Sequence, residues 1–167
     1  MAPETLWQKV RRSFELDDGS FPSVAIVDLE VAEVANLYRI VRESSALVDS
    51  DVTFWDVEKS ANVPLDSVPN AALLVAEGRA AGFAFAARGL EINSIELPNL
   101  GFQIFESVFS IHYQMGPAWQ PLQVHAFFLW LRELVLMTKH GRLDLTVDGP
   151  IASEAFMYAW AQFAAEQ

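Results

Sequence analysis

The apolar positions of this chain follow a helical repeat in some segments and strict alternation in others. The clearest helical segment is residues 124–137, VHAFFLWLRELVLM, in which eleven of the fourteen residues are apolar. At 100° per residue, most of these side chains fall on one arc roughly 200° wide. The pattern predicts a long helix, with Pro121 in its first turn, that buries a broad face in the core.

The outer arc of this helix carries two sets of residues spaced seven apart. His125, Arg132 and Lys139 form a basic line, which could pair with acidic residues of the first third of the chain or with the acid group of a ligand. Leu129 and Leu136 lie on the same outer arc. Two leucines outside the core face indicate either a covering loop or a subunit contact, so they are the candidate homodimer contact.

Alternation of apolar and polar residues predicts the strands. In residues 108–115, aromatic and aliphatic residues alternate with Ser110 and His112, as expected of a sheet with one face on the core. Residues 13–16 and 24–27 are expected to form a hairpin, and residues 148 and 149 a turn. Further strands are predicted over residues 52–57, 83–87, 102–105 and 142–147.

Three more helices are predicted. Asp28 is expected to cap a helix that runs to about residue 46, with a buried stripe at Val34, Leu37, Tyr38 and Val41. Residues 70–77 suit a short helix that ends at a glycine, with a strand as the alternative. The last helix, over residues 151–165, places its large aromatic residues on one face, which are Phe156, Trp160 and Phe163.

These elements predict an α+β protein with a single domain over residues 1–167. The sheet is expected to be mainly antiparallel or mixed and to be packed by three or four helices. Residues 1–12 are either part of this domain or a loosely packed N-terminal segment.

Three segments of the chain resemble the GNAT family of N-acetyltransferases. VAIVDLEVAEVANLYRIVRES is similar to the family's first strand and helix, ALLVAEGRAAGFAFA to its second and third strands, and GRLDLTVDGPIASEAFMYAW to its fifth strand and fourth helix. The resemblance implies a GNAT-like α/β arrangement as the alternative fold. In that family a glycine-rich loop holds the pyrophosphate of acetyl-CoA. The corresponding segment here reads MGPAWQPLQV, and Pro117 and Pro121 supply no amide donors.

Composition narrows the class of protein further. The chain has a net charge of −11 and no cysteine, which excludes disulfides, thiolate metal sites and cysteine nucleophiles. Its negative charge opposes binding to nucleic acid. Because neither a signal-like segment nor an apolar run long enough for a membrane is present, we expect a soluble, cytoplasmic protein without membrane association.

Motifs of common enzyme classes do not occur in the sequence. There is no H-E-x-x-H, no G-x-S-x-G elbow and no phosphate-binding glycine loop. His112 is the weak catalytic candidate, because it lies on the polar face of its strand between Ser110 and Gln114, where an imidazole could relay a proton. We therefore expect no cofactor, no metal and no catalysis.

Acidic residues are concentrated in residues 13–60, which hold eleven acids against three cations. Aromatic anchors ringed by acids are typical of an interface that steers a basic partner. We therefore expect a basic protein partner, with this chain in an inhibitor, immunity-type or adaptor role. The alternative is a small-molecule-binding protein or enzyme with a pocket near His112 and residues 116–119, for which acetyl-CoA is the first ligand to test. The candidate partner-binding residues are Asp49, Asp51, Phe54, Trp55, Asp56 and Glu58.

Overall fold

Helices and strands account for most of residues 1–146 and 150–166, which the computed structural model describes. The helices are α1 (Pro3–Val10), α2 (Val31–Ser44), α3 (Ala71–Ala76), α4 (Pro121–Leu136) and α5 (Pro150–Ala165). The strands are β1 (Ser23–Val27), β2 (Ala46–Leu47), β3 (Thr53–Asp56), β4 (Ala61–Pro64), β5 (Phe83–Arg88), β6 (Glu91–Ile92), β7 (Ile95–Glu96), β8 (Leu100–Ile104), β9 (Phe109–Tyr113) and β10 (Arg142–Thr146). The predicted α+β class is confirmed, with five helices where three or four were expected.

The main sheet has six strands in the order β10, β1, β9, β8, β5, β2, and each neighbouring pair is antiparallel. The strand that comes first in the chain therefore lies inside the sheet, between β9 and β10. Two small antiparallel ribbons, β3 with β4 and β6 with β7, accompany this sheet. A bridge between Asp56 and Ala80 ties the first ribbon to the segment that leads into β5.

All helices lie on one side of the main sheet, because each packs on the same row of side chains or on a helix that does. Tyr38 of α2 meets Phe85 of β5 edge-on, with ring centroids 5.6 Å apart. Trp130 of α4 meets Phe102 of β8 at 6.3 Å, and Phe85 stacks on Phe102 at 5.0 Å. Helices α1 and α5 pack on α4, and α3 packs on α2. The opposite side of the sheet carries no helix of the described chain.

Helix α4 is the central support of the core, as predicted. Its buried side chains face the sheet and α5, and Pro121 occupies the first turn. The basic line on its outer arc is engaged within the chain: Lys139 Nζ lies 3.5 Å from Glu30, and Arg132 donates to the Glu166 carbonyl at 2.9 Å. His125 Nε2 lies 3.0 Å from the Met1 carbonyl oxygen. These contacts favour the interpretation that the basic line pairs with other groups of the chain and not with the acid group of a ligand.

The predicted hairpin over residues 13–27 is wrong. Residues Arg11–Ser13 form a short 3₁₀ helix, and only β1 is a strand. Phe14 is fully buried, because its ring stacks on Tyr113 at 4.8 Å and lies 4.9 Å from Trp119. This burial fixes the segment on the helical side of the sheet, where it cannot pair with β1.

The start of α2 also differs from the prediction. Asp28 has a φ of +62° and pairs with Arg142 at 2.8 Å, so it lies before the helix and does not cap it. The helix begins at Val31, and the Glu33 carboxylate accepts the Glu30 backbone N–H at 2.8 Å. The buried stripe of α2 is confirmed at all four predicted positions.

Helix α3 confirms the predicted short helix at residues 70–77, with Asn70 as its N-cap. The resemblance to the GNAT family assigns this segment to a second strand, so the observed arrangement departs from that alternative. Residues 1–12 could have been loosely packed, but α1 places Leu6 and Val10 in the core. The turn predicted at residues 148 and 149 lies outside the described residues. No described helix is long and apolar enough to cross a membrane.

Candidate functional site

Phe54 and Trp55, the two aromatic candidates of the acidic segment, point to opposite sides of β3. Phe54 is 2% exposed and lies 5.9 Å from the Phe83 ring, so it belongs to the core. Trp55 is 44% exposed. Its backbone carbonyl accepts the Ala81 N–H at 2.9 Å, which fixes this strand against the chain that enters β5. Of the two aromatic residues, only Trp55 has substantial surface for a contact.

Asp56 and Glu58 are held by cations of the same chain. Asp56 is buried, accepts the Lys59 backbone N–H at 3.0 Å and lies 3.2 Å from Lys59 Nζ. That backbone N–H holds the pKa of Asp56 below its ordinary value. Glu58 accepts hydrogen bonds from Arg79 at 2.9 and 3.1 Å, which lower the pKa of its carboxyl group. Both carboxylates are therefore ionised and internally neutralised.

Asp49 and Asp51 have a different environment in the loop before β3. Both are exposed, and no cation of the described chain forms an ion pair with either. The Ser50 hydroxyl donates to Asp51 at 3.2 Å. We call Asp49, Asp51 and Trp55 together the Trp55 surface. It combines a half-exposed indole with two carboxylates whose charge is not neutralised within the described chain.

His112 lies on the side of the main sheet that the helices leave uncovered. Its Nε2 is 3.3 Å from Ser110 Oγ, and burial among its strand neighbours lowers the pKa of the imidazole. Across the strands, His112 is opposite Ser23 of β1 and Gly101 of β8. No carboxylate of the described chain hydrogen-bonds to it. An imidazole without an acid to orient it lacks the third member of a nucleophilic relay, so this geometry gives little support to catalysis.

This uncovered side, which we call the open face, consists of small or uncharged residues in its centre. The strand alternation places them there, because their neighbours along each strand point into the core. The eight central residues form two cross-strand rows, and the register of the sheet sets their order. One row is Ala25, Ser110, Gln103 and Ala84, and the other is Ser23, His112, Gly101 and Ala86.

A cavity of about 370 Å³ lies at one end of the open face, beside the turn that precedes α4. Asp17, Gln114, Gly116 and Ala118 are among the residues that line it. Gln114 donates to Asp17 at 3.1 Å, so the two side chains form one polar wall. Trp119 is buried and does not line the cavity. The sequence predicted a pocket near His112 and the turn at residues 116–119. This cavity lies at that turn, but His112 does not line it, so the predicted pocket stays a prediction.

The two leucines of the predicted subunit contact differ in their exposure. Leu129 is partly buried against the core, whereas Leu136 is 75% exposed. Leu129 packs against the core of its own chain, whereas most of the Leu136 side chain is exposed to solvent. The homodimer contact at these positions stays a prediction.

The open face was not predicted from the sequence. Its signal lies in the segments FAFAAR and FSIHY, where large core residues alternate with alanine, serine or histidine. Within the described residues, no group of three or more histidine and acidic side chains is placed to hold a metal ion. No protein-family model matches the chain, and no curated protein or solved structure is significantly similar to it.

Proposed function

We propose that this protein binds a basic protein partner through the Trp55 surface and acts by that binding, as an inhibitor, an immunity-type protein or an adaptor would. The observation that carries the proposal is the half-exposed indole of Trp55, which follows Asp49 and Asp51 closely in the chain, two acids that are themselves exposed. An indole that becomes buried at an interface supplies much of its free energy, while exposed acids raise the association rate with a cationic surface.

The four acids differ in function because only two of them form ion pairs within the described chain. Asp56 and Glu58 keep β3 in place through Lys59 and Arg79. Asp49 and Asp51 are left to attract the partner. Because attraction between exposed charges is screened beyond about 8 Å at physiological salt, added salt should slow association and weaken the complex.

The test is affinity capture from a native lysate, followed by titration of the purified partner. We expect a stoichiometric basic protein that is retained at low salt and released as salt increases. Trp55→Ala should abolish its retention, and Asp49→Asn/Asp51→Asn should weaken it mainly through the association rate. Calorimetry with the purified partner measures the affinity, and stopped-flow mixing measures the rate.

Two variants serve as matched controls. Tyr158→Ala removes another exposed aromatic ring, on α5, and Glu91→Gln/Glu96→Gln removes two exposed acids elsewhere. Both should leave capture unchanged. The proposal fails if no basic protein is recovered in stoichiometric amount, or if Trp55→Ala and Tyr158→Ala behave alike.

A second candidate function is small-molecule binding in the cavity beside Gly116. Its volume of about 370 Å³ and its polar wall of Asp17 and Gln114 favour this candidate. Coenzyme A and acetyl-CoA are the first probes, and a bound ligand should raise the melting temperature by linkage. Ala118→Trp fills the cavity mouth and should remove the shift, whereas no shift in the wild type rules out these ligands.

A further inference from the structure

The centre of the open face is uncharged in a protein of which 20% of the residues are charged. None of the eight central residues is Asp, Glu, Lys or Arg. Charged side chains on this side of the sheet occur at its margins, with Arg142 and Asp144 on β10 and Arg88 on β5. Depletion of charge in the centre of a surface is typical of protein interfaces.

Exposed apolar side chains surround this centre. Phe105 follows β8, and its ring lies against Gly82, where an added Cβ would come within 3.1 Å of it. Val48 extends β2, and its N–H donates to Ala86 at 2.9 Å. Phe21 precedes β1 and is among the most exposed large apolar residues. Continuing the alternation of the adjoining strands by one or two residues assigns these three side chains to the outer side, where they would enlarge the apolar area of the open face.

The size of the open face matches what a stable interface needs. Five strands of five or six residues, spaced about 4.8 Å apart with a rise of about 3.4 Å per residue, give roughly 400 Å² of flat surface. Two such faces and their apolar rims bury about 1,000 Å², which is the lower limit for a specific interface. The small central side chains permit two sheets to approach to about 10 Å, the spacing of packed sheets.

We propose that the open face is a homodimer interface, in which two copies of this chain pack sheet against sheet around a two-fold axis. A second copy is the occupant that the charges favour. A basic partner would gain nothing from the neutral centre, whereas two copies that each carry −11 repel each other least where acids are few. A two-fold interface uses the same patch on both copies, so its flatness and neutrality are matched automatically.

Salt separates this dimer from the complex at the Trp55 surface. The two copies repel each other at long range, and added salt screens this repulsion, so dimerisation should strengthen as salt increases. Binding of a basic partner should weaken under the same change. The test of the dimer and the test of the partner complex can therefore give independent results.

The test is sedimentation velocity of the full chain from low micromolar to about 500 μM, at low and high salt. We expect a concentration-dependent dimer in the wild type. Gln103→Glu is nearly isosteric, and it would place two unpaired carboxylates in the centre of the interface. It should weaken dimerisation by at least about tenfold, as should Gln103→Lys with the opposite charge.

Gln8→Glu is the matched control, because Gln8 is an exposed residue of α1 on the helical side. It should leave the dimer intact, and so should Leu136→Glu at the other candidate contact. Circular dichroism and the melting temperature of each variant establish that it is folded. Partner capture by Gln103→Glu should remain normal, because Gln103 lies outside the Trp55 surface.

Three results would overturn the proposal. The first is a monomeric wild type at the highest concentration and salt. The second is a dimer that both Gln103 variants leave unchanged. The third is a dimer that Leu136→Glu dissociates and Gln103→Glu does not, which would place the contact on α4.

Discussion

Phe54 and Trp55 are consecutive residues of β3, yet one ring is buried beside Phe83 and the other is half-exposed. We therefore expect opposite consequences of their removal. Phe54→Ala should lower the free energy of unfolding by about 3–5 kcal/mol, because it leaves a cavity in the core. Trp55→Ala should cost less than about 1 kcal/mol and act on binding instead. Urea denaturation followed by circular dichroism measures both, and equal losses would make Trp55 a core residue.

The histidines predict a loss of stability in mild acid. Burial lowers the pKa of His112, and likewise that of His125, below the ordinary value of 6.5. Each imidazole therefore binds a proton more readily in the unfolded chain. The stability that each contributes is complete above pH 6.5 and is lost as the pH falls toward the folded-state pKa.

Urea denaturation at pH 7.5 and pH 5 tests this expectation. The wild type should be less stable at pH 5, and His112→Gln should reduce the difference. His140 is exposed, so His140→Gln is the matched control for the substitution itself. An identical pH dependence in all three proteins would show that His112 does not respond to its burial.

Substitution by alanine should have opposite effects on stability at Gly82 and at Gly101. A Cβ at Gly82 would lie 2.7 Å from the Ile104 carbonyl oxygen, a backbone atom that cannot move away cheaply. Gly82→Ala should therefore cost about 1–3 kcal/mol. At Gly101 the nearest atom is His112 Cβ at 3.4 Å, an ordinary contact. Gly101→Ala should be neutral or stabilising by up to about 1 kcal/mol, because it restricts the unfolded chain. Thermal unfolding of both variants is the measurement.

The buried hydroxyl group of Tyr113 should contribute measurably to the free energy of unfolding. It donates to the Ser13 carbonyl at 3.0 Å, and burial raises the pKa of the phenol. Tyr113→Phe leaves that carbonyl without its donor and should cost about 1–2 kcal/mol. Tyr158→Phe, at an exposed site, should cost nothing measurable. If the two variants were equally stable, the Ser13 carbonyl would have found another donor.

Local periodicity predicted the elements of this fold better than their arrangement. The 3.6-residue repeat of α4 and the alternation in β9 identify a core face without any knowledge of the partner. Phe14 could not be placed in this way, because its burial depends on Trp119 and Tyr113, which are distant in the sequence. The predicted hairpin failed for that reason.

The candidate surfaces show the same limit. Alternation says that Phe54 and Trp55 face opposite ways, but which of them is buried depends on where β3 packs. The open face likewise follows from α2 and α4 both packing on Phe83, Phe85 and Phe102. Nothing in the alternation of β5 tells whether its alanines are covered.

The interior position of β1, between two strands from late in the chain, affects how this protein must fold. Ser23–Val27 is made early, but its two neighbours are Phe109–Tyr113 and Arg142–Thr146. During synthesis, both edges of β1 therefore stay unpaired until most of the chain has been made. Such non-local pairing is slow, and we expect refolding in milliseconds to seconds, measurable by stopped-flow fluorescence. A chain truncated before β9 lacks both neighbours of β1 and should aggregate, because both edges of that strand stay unpaired.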